Sequence, residues 1–326
     1  MMGNKWFGLA LCAVLLALSA SVDAQPKKVQ RVGYLAAVSA TADAPRFEAF
    51  RQTLRNLGYI EGQNIAIDVR YTDKFERLPE LAGELVRAKS DVLVAITTNG
   101  ALAARNATST IPIVFMGVTD PVAAGLVDSL PRPGGNSTGI TNIAAILTGK
   151  RLELLKETIP KLSRVAVLWD PQAPGSEPQW NESQLAARDL NLQLHSMEVS
   201  SADKYDVAFK EAIKARSAAL AVTLNPLANS NQKRIANLAA NHRLPAMCPR
   251  ADFADNGCMM SYGPSYDNEG RNGARYVDKI LKGTKPADLP VEQPTKFELV
   301  ANLKTAKRIG LTIPQSVLFR VSKAIR

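Results

Sequence analysis

Short apolar runs alternate along the chain with segments whose apolar residues recur at helical spacing. Arg31 to Val38 is strand-like; Arg46 to Leu57 then carries Phe47, Phe50, Leu54 and Leu57 on one face, and Gly58 supplies a left-handed stop. Strands are predicted over 65–71, 92–96 and 113–116, the last two continuously apolar as in sheets buried on both faces, with helices over 78–88 and 100–107. Pro131 to Gly139, rich in Pro and Gly, approaches a boundary, and the rhythm restarts after residue 145. Helices over 150–158, 182–190, 205–215 and 231–241 alternate there with strands over 165–169, 192–199, 219–224 and 259–262. A helix then runs to Leu281, 286–294 is extended, and a last strand over 296–302 leads into C-terminal helices. Such alternation predicts parallel sheets with right-handed crossovers. Two consecutive series predict an α/β protein of two doubly wound parallel-sheet lobes around a ligand cleft. The lobes are expected to be 25–143 with 264–292, and 144–263 with 293–326.

The N-terminus breaks this rhythm. Lys5 precedes an apolar run from Trp6 to Leu18, and small residues end in Val22-Asp23-Ala24. This pattern predicts a signal peptide over 1–24, cleaved after Ala24, and hence export to the periplasm. The run falls short of the roughly 20 apolar residues that span a bilayer, and Cys12 lies inside it, after Leu11, as signal-peptide filler. The net charge of +10 survives cleavage, because Lys5 and Asp23 leave together. Lysines and arginines are scattered among acids, as in Lys150-Arg151-Leu152-Glu153, which describes a solvated basic surface and no nucleic-acid footprint. Cys248 and Cys258 remain; an exported chain permits a bridge between them, and two buried thiols fit equally.

Enzyme chemistry finds little support. The chain has no Gly-rich phosphate loop ending in Lys-Ser or Lys-Thr, no His-Glu-x-x-His and no Gly-x-Ser-x-Gly elbow. Its two histidines, His195 and His242, read as structural, so no catalytic residue, metal site or cofactor is expected. What remains is a set of polar residues just after buried strands, where open parallel sheets bind ligands. In the first lobe these are Ser39 and Thr41; Thr97, Thr98 and Asn99; Thr119 and Asp120; and Thr141 and Asn142. In the second they are Asp170 to Ser176, Asn225 and Arg250. Each alone also reads as a cap or turn residue. Asp120, stiffened by Pro121, is the foremost candidate for facing a ligand ammonium.

Several blocks together resemble a known family. Thr110-Ile111-Pro112-Ile113-Val114-Phe115 leads to Thr119-Asp120-Pro121-Val122, then Gly125-Leu126-Val127 and Pro133-Gly134-Gly135-Asn136-Ser137-Thr138-Gly139. Ser261-Tyr262-Gly263-Pro264, the stretch from Tyr276 to Gly283 and Leu289-Pro290-Val291-Glu292 follow in order. The chain resembles the ABC-transporter substrate-binding proteins of the tryptophan-binding type over nearly its whole mature length. The resemblance implies the type I periplasmic-binding-protein fold with three crossings between lobes, and no catalysis. It places the ligand-facing blocks at Thr97-Thr98-Asn99, Asp120, Thr141-Asn142, Asp170 to Ser176, Asn225 and the Tyr262 to Asp267 turn. Asn142 and Ser265 stand where that type carries Asp, and the blocks Asp170 to Ser176 and Leu224-Asn225-Pro226 differ from its pattern. These changes remove ammonium partners and leave a carboxylate or amide-like ligand open. The expected partners are a small-molecule ligand and an ABC permease in the inner membrane, served by a monomer; a periplasmic sensor feeding a signalling receptor is the alternative.

Overall fold

The computed structural model describes residues 28–326, so the expected signal peptide lies outside the described residues. The first lobe comprises β1 (Gln30–Ala36), α1 (Ala40–Asn56), β2 (Ile65–Tyr71), α2 (Leu78–Arg87), β3 (Val92–Ile96), α3 (Thr97–Ala107), β4 (Ile113–Val118) and β5 (Ser137–Thr141). Its five strands are all parallel, in the order β2-β1-β3-β4-β5. The continuous apolar runs are explained by two-sided burial. Val92, Val94 and Ile96 of β3 enter one core with Phe50 and Leu54, while Leu93 and Ala95 enter another with Leu81 and Leu85.

The second lobe follows with α4 (Ala144–Thr158), β6 (Arg164–Trp169), α5 (Ser176–Asp189), β7 (Gln193–Glu198), α6 (Tyr205–Lys214), β8 (Ala219–Val222), α7 (Pro226–Ser230), α8 (Gln232–Asn241), β9 (Ala246–Cys248), α9 (Ala251–Asp255) and β10 (Met260–Pro264). Helix α10 (Tyr266–Leu281) then packs on the first lobe, where Ala274, Val277 and Ile280 join the core of Phe50 and Leu54. β11 (Phe297–Asn302), α11 (Leu303–Ile309), α12 (Gln315–Leu318) and β12 (Lys323–Ile325) complete the second sheet, ordered β12-β11-β10-β9-β8-β6-β7. The chain therefore passes between the sheets around 142–143, 264–266 and 292–296.

The structure corrects the expected elements in several ways, adding the short α7, β9 and α9 that the sequence did not place. β11 runs antiparallel to β10, so the second sheet is mixed, and the C-terminal stretch contains a strand as well as helices. β5 escapes a hydrophobicity pattern because its buried residues are mostly small and polar. Thr138 Oγ1 donates to the Leu289 carbonyl at 2.6 Å and Thr141 Oγ1 to that of Val118 at 2.7 Å. Helices α1, α3, α4 and α5 begin three to six residues before the sequence places them, each at its cleft end.

Cys248 and Cys258 form a disulfide. It closes the short loop that carries Arg250 and α9, a constraint on the unfolded chain of about 3 kcal/mol in the loop-entropy picture. Among the described residues no helix is long and apolar enough to cross a membrane.

Candidate functional site

Several strand-to-helix junctions face the cleft. Two of them hold β-branched residues in the left-handed region, Thr97 at φ 70° ahead of α3 and Ile143 at φ 45° ahead of α4. Such conformations cost of order 1–3 kcal/mol each and persist where surrounding structure enforces them. The lobes meet over this surface: a Cβ added at Gly175 would lie 2.8 Å from Cβ of Thr119.

Between them lies a cavity with an empty volume of about 550 Å³, its mouth included. Arg46, Thr97, Thr98, Asn99, Gly117 and Thr119 line it from the first lobe, and Pro174, Leu224, Asn225, Asn229 and Arg250 from the second. Asn142, Pro264 and Tyr266 line it from the crossings.

The expected residues divide. Thr97, Thr98, Asn99, Thr119, Asn142, Asn225 and Arg250 are brought together on the cavity wall, with Pro174 of the Asp170 to Ser176 block and Pro264 and Tyr266 of the Tyr262 to Asp267 turn. Thr97 Oγ1 is buried without a partner. Asn142 is held in place, its Nδ2 donating to the Gly117 carbonyl at 2.9 Å and its Oδ1 accepting from Ala144 N at 2.9 Å. Asn225 caps α7 through Ala228 N at 2.8 Å.

The rest stand off the cavity. Ser39 caps α1 by accepting from Ala42 N, and Thr41 shares a hydrogen bond with it. Thr141 is spent on the Val118 carbonyl. Asp170 lines the outer cleft, where its Oδ1 accepts from Gln172 N. Ser176 is fully buried. Tyr262 stacks on Phe297, with ring centroids 5.9 Å apart. Asp120, the foremost candidate, turns its Oδ1 to Val122 N and Ala123 N at 3.1 and 3.0 Å and caps its own turn. Asparagine caps equally well, so Asp120→Asn should leave ligand affinity unchanged. Asp120→Ala should lower stability by about 1 kcal/mol. Calorimetry and urea unfolding of the two variants check this, and a weakened ligand in the Asn variant would return Asp120 to the site.

Sequence reasoning missed Arg46 and Asn229 and treated the basic residues at large as solvated, although it named Arg250 after its strand and, through the resemblance, the turn that holds Tyr266. Arg46 is 2% exposed and Arg250 4%. Tyr266 packs between them, each guanidinium carbon 4.0 Å from its ring centroid. Arg46 Nε donates to Glu269 Oε2 at 2.8 Å and Nη1 to Asp43 Oδ1 at 2.5 Å, while Tyr34 donates to the other Asp43 oxygen at 2.7 Å. Burial works against the Arg46 charge, but Glu269 and Asp43 outweigh it and raise its pKa; burial also lifts the Asp43 carboxyl above its usual range, with Arg46 opposing. Arg250 binds Asp252 through Nε at 2.9 Å and through Nη2. Burial raises the Asp252 carboxyl, and the charge and hydrogen bonds of Arg250 outweigh it to hold the group below the usual range. The missed signal for Arg46 was spacing: Asp43, Arg46, Phe50 and Leu54 form one buried stripe of α1.

Residues 31–325 match the family model described as ABC transporter substrate binding protein. The chain belongs to that family. This substrate-binding protein is 28% identical over 286 residues to a tyrosine-binding protein of Clostridioides difficile strain R20291, covering 87% of this chain and 82% of that one. A crystal structure of a conserved domain protein from Vibrio cholerae superposes with a TM-score of 0.87 at 28% identity, over 91% of this chain and all of that one. The ABC domain of a Streptococcus pneumoniae protein in complex with L-Trp superposes at 0.84 with 25% identity, over 91% and 99%. The substrate-binding protein is thus a type I periplasmic-binding-protein fold of two α/β lobes and not an enzyme.

Proposed function

We propose that this substrate-binding protein captures a small molecule between its lobes in the periplasm and presents the closed form to an ABC permease for import. The observation that carries the reading is the cavity walled by polar side chains from both lobes, with Thr97, Thr98, Asn99, Asn142 and Asn225 as ligand contacts. Closure of two domains around a ligand gives the permease a shape to read. The tyrosine-binding and L-Trp-bound relatives support an aromatic amino acid or a related carboxylate as cargo. The signal-peptide pattern supports export, with a mature chain beginning at Gln25. Sheet membership and the Ile140–Glu292 bridge support lobes of 25–143 with 264–292, and 144–263 with 293–326.

The test is a thermal-shift screen of amino acids, organic acids and sugars on the purified mature protein, with mass spectrometry of molecules released on denaturation. A true ligand at about 100 times its Kd stabilises by about 2.7 kcal/mol. A protein that carries nothing from cells and responds to no compound would end this reading. Uptake of the identified ligand should then fail in cells lacking the protein; intact uptake with a lost transcriptional response would favour the sensor instead.

A further inference from the structure

The two cavity arginines differ from ordinary structural arginines in one respect. Each is held by carboxylates on part of its guanidinium only. Arg46 uses Nε and Nη1, and Arg250 uses Nε and Nη2. Among the described residues, Nη2 of Arg46 and Nη1 of Arg250 donate to no protein acceptor. Both side chains line the cavity, whereas Asp43, Glu269 and Asp252, which hold them, are not among its lining residues. A molecule entering the cavity therefore meets N–H donors first.

We propose that Arg46 and Arg250, reaching in from opposite lobes, anchor a carboxylate of the ligand, so that the substrate class is a small organic acid and no α-ammonium group is required. This rests on the reading of the cavity as the binding site. Guanidinium matches carboxylate geometry, and its charge-assisted hydrogen bonds are the strong kind. The backing carboxylates fix the direction of each fork, as outer partners orient metal ligands. Tyr266 holds both guanidinium carbons 4.0 Å from its ring centroid. Among the described residues no carboxylate lines the cavity to receive an ammonium, and Asp120 is committed to its turn. Among the described residues, the buried unpartnered atoms on the wall include a hydroxyl and an amide oxygen, Thr97 Oγ1 and Oδ1 of Asn229, the latter residue 8% exposed. They suit neutral polar groups elsewhere on the ligand.

The test titrates the whole mature protein, by calorimetry, with a panel of aliphatic and aromatic compounds, each in three forms: the acid, its α-amino acid and its primary amide. The tightest compound is expected to be an acid. Its amide should bind about 100-fold more weakly and its α-amino form no more tightly. Arg250→Gln and Arg250→Lys should each weaken the acid by about 10- to 100-fold and leave the amide's affinity where it was. The wild-type comparison stands if a variant does not fold. An amide as the tightest form overturns the carboxylate anchor, an α-amino acid as the tightest form overturns the assignment of a ligand without an ammonium group, and either leaves the binding-protein reading intact. Failure of every form to bind overturns both.

Discussion

Gly270→Ala is expected to lower stability by about 3 kcal/mol or more and to abolish tight ligand binding with it. Gly270 lies in the first turns of α10, one residue after Glu269, where α10 crosses α1. A Cβ there would stand 2.2 Å from the Arg46 carbonyl oxygen and 3.1 Å from the Phe50 nitrogen. Both are backbone atoms of α1, so no side chain can rotate away; the helices must separate. Overpacking of this kind costs 1–3 kcal/mol and more where backbone must move. On the same face Gly273 already holds α10 against Met116, whose Sδ would lie 2.2 Å from an added Cβ. Separation would open the core of Phe50, Leu54, Val277 and Ile280 and pull Arg46 from Glu269 and Tyr266 together. Gly83→Ala is the control, because its Cβ would meet only the flexible end of Arg87 in α2. Urea unfolding and ligand titration of both variants decide it. A Gly270→Ala protein with wild-type midpoint and affinity would show that the crossing does not position Arg46.

How much of this was legible in the sequence follows from which residues carry the pattern. Strands such as Val92–Ile96 and helices such as Leu78–Arg87 announce themselves because their burial is apolar, and the polar residues after β3 fall on the cavity as expected. The signal fails where burial is polar. The first turn of α3, Thr97 to Asn99, is polar and lies on the cavity, so it lacks apolar periodicity and the sequence starts that helix too late. β5 hides for the same reason, with Ser137, Thr138 and Thr141 buried and hydrogen-bonded. Arginines fail most completely. A charge count treats all forty lysines and arginines alike as solvated, whereas Arg46, Arg151 and Arg250 are among the most buried polar residues of the protein. Position on an apolar stripe gives Arg46 away. Arg250 stands directly after a buried strand and ahead of α9, the kind of position where strand-end reasoning looks for ligand contacts.

Arg151→Met is expected to cost about 2–4 kcal/mol although it replaces a buried charge with an apolar side chain of similar length. Arg151 of α4 is 2% exposed and has no carboxylate partner among the described residues. Burial pushes its pKa down to about 9, so it still carries its charge at neutral pH. Its donors serve carbonyls instead: Nε to Tyr262 at 2.8 Å, Nη1 to Ala144 at 3.3 Å and Nη2 to Pro249 at 3.4 Å. Two effects oppose. Methionine relieves the desolvation of an unpaired charge, which by itself favours the variant. It also strips charged donors from the buried carbonyls, each costing about 1–3 kcal/mol when left unpaired. The carbonyl loss should win, because three segments depend on one side chain. Ala144 follows one crossing between the lobes, Tyr262 precedes another, and Pro249 adjoins Arg250. Asn142, Pro264 and Arg250 project into the cavity from those same segments, so ligand affinity should fall as well, by about tenfold. Arg151→Lys, which keeps a charge but cannot span three acceptors, should lie between the two in stability. Denaturant unfolding with ligand titration measures both quantities, and a Met variant at least as stable as the wild type would mean that desolvation outweighs the three carbonyl bonds.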